Sequence, residues 1–253
     1  MKLLKILFVL GVLLLALAAG LIAFMPAKFA LDALGTRLGA LKLDDVSGTI
    51  WRGRAGSATV NGWAMGALDW NIHPLAMLGG RLDADLGLQG AEFRGNTFAS
   101  IAAGNVLLRN TQFSMDAQRL QPAIDIPSLQ LRGRVDIALS EAELVAGFPR
   151  KLKGEAHWRD AAVSGEAEAL LGTLSAQFQS ADDGAIIGTL QDEGGPLALE
   201  GQFRAAFTGY EADAVLSARD GNPQVIRALS YVGEVQPDGS SLLQIRGRLL
   251  PLP

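Results

Sequence analysis

Two histidines and a few closely spaced carboxylates are the residues of this sequence that could perform acid–base or metal chemistry. His73 lies beside a Pro turn and His157 beside Trp158, and neither belongs to a His-x-x-x-His metal spacing. The carboxylates of "SEAE" and "ADD" lie in turn-like segments, whereas paired catalysts need opposed positions in a cleft. Structural or surface roles explain both histidines. We therefore expect no catalytic residue, no cofactor and no metal site.

Bulk composition excludes further classes of function. The 253 residues carry a net charge of -4, and the 22 Lys and Arg are scattered singly, which disfavours nucleic-acid binding. No cysteine is present, so disulfides, thiolate zinc sites and a cysteine nucleophile are excluded. The sequence has neither a Gly-x-Ser-x-Gly elbow nor a phosphate loop. The sequence therefore predicts a protein that is not an enzyme.

The N-terminal segment predicts a membrane anchor. After a cytoplasmic tail, residues 1–5, the 22 residues from 6 to 27 carry no charge, which is long enough for a helix to cross the hydrocarbon layer. A cleaved signal peptide is the alternative, because "ALA" at residues 16–18 supplies a small-residue site. The run continues apolar beyond that site, which favours an uncleaved anchor. Lys2 and Lys5 favour an internal N-terminus and a periplasmic C-terminal domain in a bacterial inner membrane.

After a juxtamembrane helix or linker, residues 28–40, the hydrophobic period changes to two. In "RLDADLGLQG" and "LQLRGRVDIALS" apolar and polar residues alternate, as in half-buried antiparallel strands. Gly133 and Gly201 fall on apolar positions within such strands, where glycine marks a bulge or a close backbone approach. The sequence predicts a mainly β fold: a large antiparallel meander of roughly a dozen strands, curved into a groove or folded into a sandwich, with one or two short helices.

One late helix is predicted from its cap and its spacing. In "NPQVIRALSYVG" Asn222 is a candidate N-cap, Pro223 opens the helix, and Gly233 ends it. The apolar stripe comprises Val225, Ile226, Leu229 and Val232. A weaker candidate is "SEAELVAG", where Ser140 and Glu143 have the spacing of a capping box.

The region 41–253 also contains a weak internal sequence repeat. "GTIWRGRAGSATV" from Gly48 is similar to "GEAHWRDAAVSGEA" from Gly154, since both run from glycine into Trp-Arg and then small residues. The sequence is compatible with two related halves, 41–125 and 126–253, and equally with one continuous β domain.

The four tryptophans are Trp51, Trp63, Trp70 and Trp158. Each could be an interface hot spot or part of the core, because a tryptophan ring buries a large apolar area. Trp70 shares its strand parity with Ile72, which favours the core. Trp51, beside Arg52 and flanking glycines, is open to either interpretation.

The segments "VSGTIWRGRAGSATVNG" and "LDWNIHPLAMLGGRLDADL" resemble the N subunit of the bacterial type II (general) secretion pathway. The resemblance extends to the single N-terminal anchor, the chain length and the late helix followed by "DGSSLLQIRGRL". It implies an inner-membrane, periplasm-facing accessory component of the machine that carries folded proteins across the outer membrane, with no catalytic residues. The positions carried over as fold or contact signatures are Gly48, Thr49, Trp51, Gly53, Trp70 and Pro74, and Arg52 is added as a candidate contact.

Two functions follow as alternatives. In the first, a sheet edge or the Trp-Arg surface binds other type II secretion subunits, the secretin among them. In the second, the apolar sheet face forms a groove for lipid, because the β-rich sequence also resembles AsmA-type envelope proteins. Copurified lipid would favour the groove. A complex weakened by Trp51→Ala together with Arg52→Ala, but not by delipidation, would favour assembly.

Overall fold

A computed structural model describes residues 24–34, 41–60, 62–124, 126–145, 148–206 and 208–247. The chain forms two compact units, residues 1–91 and 92–253. The predicted anchor lies outside the described residues up to residue 23, and none of the described helices is both long and apolar enough to cross a membrane. This division does not test the two related halves, 41–125 and 126–253, because duplicated segments need not form separate compact units. The halves remain a prediction.

Unit 1 contains four described strands that pair in chain order, each antiparallel to the next. They are β1 (Leu41–Gly48), β2 (Arg52–Val60), β3 (Trp63–His73) and β4 (Leu82–Gln89). A helix, α1 (Ala27–Leu34), precedes them, and a 3-10 helix (Pro74–Gly79) connects β3 to β4. The helical spacing read at residues 28–40 is thus matched by a short helix.

Unit 2 contains ten described strands in one antiparallel sheet, in the order β5 to β12, then β14, then β13. They are β5 (Phe93–Ala102), β6 (Asn105–Asp116), β7 (Leu129–Val145), β8 (Phe148–Gly165), β9 (Ala169–Ser180), β10 (Ile186–Asp192), β11 (Leu197–Ala206), β12 (Gly209–Ala218), β13 (Glu234–Val235) and β14 (Ser241–Gly247). In the described residues β5 and β13 do not pair with each other, so this sheet is open. The predicted antiparallel meander is confirmed, and each unit forms one sheet rather than a sandwich of two.

The period-two alternation matches the burial of the strands. Leu129, Leu131 and Val135 of β7 are buried, whereas Gln130 and Arg132 between them are exposed. Gly133 falls in a bulge where the β7–β8 register shifts, and its φ is +102°. A Cβ there would lie 2.5 Å from two carbonyl oxygens of β8, so only glycine fits.

Five further short helices lie in the described part of the chain. They are α2 (Gln121–Ile124), α3 (Pro223–Leu229) and the 3-10 helices Pro74–Gly79, Ala117–Leu120 and Arg219–Gly221. Asn222 caps α3 as predicted, because its side-chain oxygen accepts hydrogen bonds from Gln224 N and Val225 N. Two expectations were wrong. Ser140 and Glu143 belong to β7, and Ile226 is half exposed, while Ala228 is buried in its place.

The largest apolar core of the described residues lies in unit 2, where α3 covers part of the sheet. Val225 is fully buried on α3, and Leu129 of β7 is almost so. The hydroxyl of Ser241, also buried, donates to the carbonyl of Val232 and attaches β14 to the segment after α3. The helix therefore protects one part of the apolar face, as a sheet with one dry side requires.

Candidate interaction surfaces

The segment Gly48 to Arg52 forms the turn between β1 and β2. Thr49 N donates to Arg52 O at 2.9 Å, and Arg52 N donates to the Thr49 hydroxyl at 3.1 Å. Gly48 has a φ of +84°, and a Cβ at this position would lie 2.5 Å from Arg52 O. The Ser-Gly-Thr text therefore specifies a tight turn, because glycine tolerates this backbone conformation and the threonine hydroxyl satisfies a backbone donor.

The ring of Trp70 lies against the backbone of Gly53. The two residues are direct partners between β2 and β3. A Cβ on Gly53 would lie 2.3 Å from Cζ2 of the ring, so the missing side chain makes room for the indole. The indole N–H of Trp70 donates to Ile50 O at 3.2 Å, which attaches β3 to the turn. The core interpretation of Trp70 agrees with this packing.

The same end of the unit 1 sheet receives the N-terminal segment. Ile50 N donates to Met25 O at 3.0 Å, and Pro26 forms a β-bridge with Thr49. On the other side of the turn, Ile72 N donates to Trp51 O, two residues before Pro74 opens the 3-10 helix. The structure therefore brings the predicted positions to one end of this sheet: Gly48, Thr49, Trp51, Arg52, Gly53, Trp70 and Pro74.

Three of these positions are exposed, namely Gly48, Arg52 and Pro74. Arg52 is exposed, and its Nε lies 3.4 Å from Asn71 Oδ1. Trp51 is half buried, whereas Trp63 is exposed at the opposite end of β3. The Trp-Arg pair can therefore contact a partner, and the other motif residues shape the turn that presents it.

Both histidines of the described residues form surface pairs with carboxylates. His73 Nε2 lies 2.8 Å from Asp85 Oδ2, and this hydrogen bond is the main cause that lowers the pKa of Asp85. His157 Nδ1 lies 2.7 Å from Glu193 Oε1. Within the described ranges no three His, Asp or Glu side chains are grouped as a metal site would need.

An apolar cavity of about 300 Å³ lies within unit 2, between the sheet and α3. The sheet contributes Leu131, Val135, Trp158 and Leu174, and the helix contributes Val225 and Leu229. Ser175 is the one hydroxyl residue among the described lining residues, and its hydroxyl lies 3.5 Å from Gln191 O. The indole N–H of Trp158 donates to Arg132 O at 2.8 Å.

This lining is unsuited to water and suited to hydrocarbon. A buried water needs two to four polar partners, and the polar groups of this wall are directed to backbone carbonyls. Small-molecule sites typically begin near 300 Å³ and have mainly apolar walls. The sequence indicated that the strands have an apolar face. It could not predict the cavity, which depends on how much of that face α3 covers.

One side of β14 forms an exposed sheet edge. Its full length pairs with β12, whereas on its other side β13 pairs only with Ser241 and Leu242. Within the described residues, the five positions 243–247 therefore have no strand on that side. Gln244 and Arg246 are exposed along this edge. Such an edge is a template for an added strand.

The outer strand β1 of unit 1 carries more exposed charges than the edge of β14, and it is kinked. Its exposed positions include Lys42, Asp44 and Asp45, and Asp45 has a φ of +53°, which kinks the strand. Charges and kinks on an edge discourage pairing with another chain. The β14 edge is therefore a better candidate for strand addition than β1.

Comparison with known proteins identifies the family. The family described as "Type II secretion system (T2SS), protein N" matches residues 39–244, most of the chain. The chain belongs to this family. Type II secretion system protein N of Vibrio cholerae is 24% identical over 232 residues, covering 88% of this chain and 90% of the relative. The protein of the same name from Klebsiella pneumoniae is 30% identical over 206 residues, covering 76% and 79%.

No solved structure gives a significant match to the chain. The match to the protein N family includes the β1–β2 turn, β3 and most of unit 2. The resemblance inferred from "SGTIWRG" and "LDWNIHP" is confirmed. Membership supports an accessory subunit of the type II secretion system that works together with other components of that system.

Proposed function

We propose that this protein is a non-enzymatic accessory subunit of the type II secretion system, anchored in the bacterial inner membrane and acting in the periplasm through protein contacts. Family membership supports the secretion role. The 18 uncharged residues 6–23 support the anchor, since about 27 Å of helix can cross the hydrocarbon layer. Pro26 pairs with Thr49 of the sheet, so the proposed span uses the residues before Pro26 rather than the whole predicted stretch 6–27.

The observation that carries the mode of contact is the exposed edge of β14. An extended segment of another secretion subunit, such as the secretin, would add a strand beside residues 243–247. Its backbone would supply the hydrogen bonds, and the side chains along β14 would select the partner. The second contact surface is the turn that presents Trp51 and Arg52, where a partner would bury an aromatic ring and a guanidinium.

Site-specific photo-crosslinking in cells distinguishes these surfaces. We expect a photoreactive amino acid at Gln244 to crosslink a secretion subunit in cells that contain the system, and to lose that product in cells that lack it. Gln191 is the matched control, an exposed glutamine on β10, whose neighbours β9 and β11 occupy both of its sides.

Two outcomes would overturn strand addition at β14. Equal products at Gln244 and Gln191 would indicate random collision. A crosslink from a photoreactive residue at position Arg52, with none from Gln244, would place the contact at the Trp-Arg turn. The double variant Trp51→Ala, Arg52→Ala should then lose partner binding. Absence of products at all three positions would count against a contact-based function.

The apolar cavity favours a second candidate function, the binding of a lipid acyl chain in the manner of an AsmA-type envelope protein. We expect dansyl-labelled undecanoic acid to bind saturably to the full-length protein, and Ala176→Leu to weaken binding by roughly tenfold because Leu fills part of the cavity.

Ala198→Leu is the matched control. Ala198 lies between two cavity residues of β11 and therefore points to the other face. Equal affinity in both variants would exclude the cavity as the binding site.

A further inference from the structure

Large apolar side chains are exposed at the end of the unit 1 sheet that receives the N-terminal segment. In the 3-10 helix, Leu75 is 79% and Leu78 is 87% exposed, and Met77 is 49% exposed. Phe24 and Phe29 are also exposed, by 79% and 66%. No residue of this 3-10 helix is buried. A turn that only connected two strands would have no need for three exposed apolar side chains.

The geometry of the 3-10 helix directs its two leucines the same way. A 3-10 helix has three residues per turn, so side chains at positions i and i+3 lie on one side. Leu75 and Leu78 have this spacing and project together into solvent. They form an apolar ridge rather than two separate exposed residues.

Backbone hydrogen bonds hold this ridge close to the point where the N-terminal segment joins the sheet. Met25 O accepts from Ile50 N, and the adjacent Trp51 O accepts from Ile72 N, two residues before the 3-10 helix begins. Phe24 and the 3-10 helix therefore leave the sheet at the same end. The apolar residues 6–23 precede Phe24 directly, so a span formed by them would bring the membrane surface to this end.

The charges around the ridge suit a phospholipid surface. Lys28 is exposed on the first turn of α1. Arg81 follows the 3-10 helix with 57% of its side chain exposed, and its Nη2 lies 3.3 Å from Asp83 Oδ2. Long cationic side chains can lie with their stems on apolar surface and their charges among headgroups. An apolar ridge flanked by such residues has the composition of an interfacial membrane contact.

We propose that the 3-10 helix Pro74–Gly79, together with Phe24 and Phe29, inserts into the headgroup region of the bilayer and forms a second membrane contact. The proposal rests on the proposed anchor and goes beyond it. The anchor would attach the protein to the membrane at one point, whereas a second contact would also orient the unit 1 sheet. The β1–β2 turn then lies near the membrane surface, and the hairpin at Val60 and Trp63 points away from it.

The absence of cysteine makes a direct test possible, because one introduced thiol is the sole labelling site. We expect the NBD fluorophore on Leu78→Cys of the full-length protein, reconstituted in vesicles of phosphatidylethanolamine and phosphatidylglycerol, to emit at shorter wavelength. Nitroxide attached to the lipid headgroups should cause a roughly twofold loss of its fluorescence, since interfacial segments lie about 5–10 Å deep.

Val60→Cys is the control within the same unit. Val60 is partly exposed at the far end of β2, eight residues from Arg52, which corresponds to roughly 26 Å of strand. We expect its label to remain unquenched. Equal quenching at both positions, or none at Leu78→Cys, would overturn the proposal.

Other occupants of the ridge give different results. If residues 1–23 or another protein covered it, the Leu78→Cys label would emit at shorter wavelength without quenching by lipid nitroxide, which also contradicts the proposal. Failure of the whole protein to float with the vesicles would contradict the anchor itself. The second contact and the anchor are therefore tested separately.

Discussion

Replacing Gly53 with alanine is expected to lower the melting temperature of the full-length protein by roughly 2–12 °C. The new Cβ would lie 2.3 Å from the Trp70 ring and 2.9 Å from Ser47 O, so the indole must move and its hydrogen bond to Ile50 O must weaken. Overpacking of this kind costs about 1–3 kcal/mol, and each kcal/mol lowers the melting temperature by roughly 2–4 °C in a chain of this size. Thermal unfolding followed by circular dichroism measures the effect.

Gly87→Ala is the matched control, because Gly87 lies in β4 of the same unit and its nearest neighbour is 3.9 Å from the added carbon. We expect almost no change in its melting temperature. A double-mutant cycle assigns the cost to the ring. In a Trp70→Ala background Gly53→Ala should cost much less, and an unchanged cost would show that the strain does not arise from this contact.

The strands could be predicted from the sequence because the alternation of apolar and polar residues within a strand indicates which of its side chains are buried. In β7 the alternation separates residues buried in the apolar core from residues exposed to water, so it can be predicted from the strand alone. The N-cap of α3 was readable for the same reason. The acceptor Asn222 and the donors Gln224 N and Val225 N lie within four residues of each other.

The wrong expectations arose where tertiary pairing outweighs a local signal. Ser140 and Glu143 have capping-box spacing, but β7 pairs with both β6 and β8 along this segment. Ala142, for example, pairs with Leu108 and with Leu152. The hydrogen bonds of two neighbouring strands stabilise the extended backbone more than one cap stabilises a helix. On α3, Ala228 rather than Ile226 faces the sheet, because the helix is centred on the fully buried Val225.

The motif residues could be named from the sequence, but their contacts could not. Gly53 makes room for Trp70 only because the β2–β3 register makes the two residues direct partners, and bulges after Ala55 alter that register farther along the strands. The ridge of Leu75 and Leu78 had a readable signal, since "PLAMLGG" is an apolar run between two strands, where a connecting turn is usually polar. The edge of β14 had no such signal, because an edge depends on which strands pair, and no described strand pairs with that side of residues 243–247.

The candidate surfaces of the two units have different proposed roles. Unit 1 carries the chain entry, the Trp-Arg turn and the apolar ridge, and the proposed membrane contact concentrates there. Unit 2 carries the β14 edge and the cavity, and neither needs the anchor to form. A variant that abolishes crosslinking at Gln244 should therefore leave the membrane depth of the Leu78→Cys label unchanged. This independence separates loss of assembly from loss of anchoring in any later mutant.

Asp192 is expected to make the stability of unit 2 depend on acid pH. Burial by itself would raise the pKa of its carboxyl, but hydrogen bonds from Leu199 N, Arg219 and Gly194 N outweigh burial and lower the pKa from 3.8 to about 2. Because the folded-state pKa is the lower one, the stabilisation is fully present above about pH 4 and is lost as pH falls towards 2. It amounts to about 2 kcal/mol.

Asp192→Asn should therefore lower the free energy of unfolding at pH 7 by about 2 kcal/mol, measured by urea denaturation, and the difference from wild type should shrink between pH 4 and pH 2. The amide cannot hold the charge-assisted bond to Arg219, whose other nitrogen donates to Gly195 O. Asp182→Asn, at an exposed position in the β9–β10 turn, removes the same charge and should change stability by less than about 0.5 kcal/mol. If the two variants lost equal stability, or the Asp192→Asn difference persisted unchanged at pH 2, net charge or packing would be responsible instead of this hydrogen-bonded carboxylate.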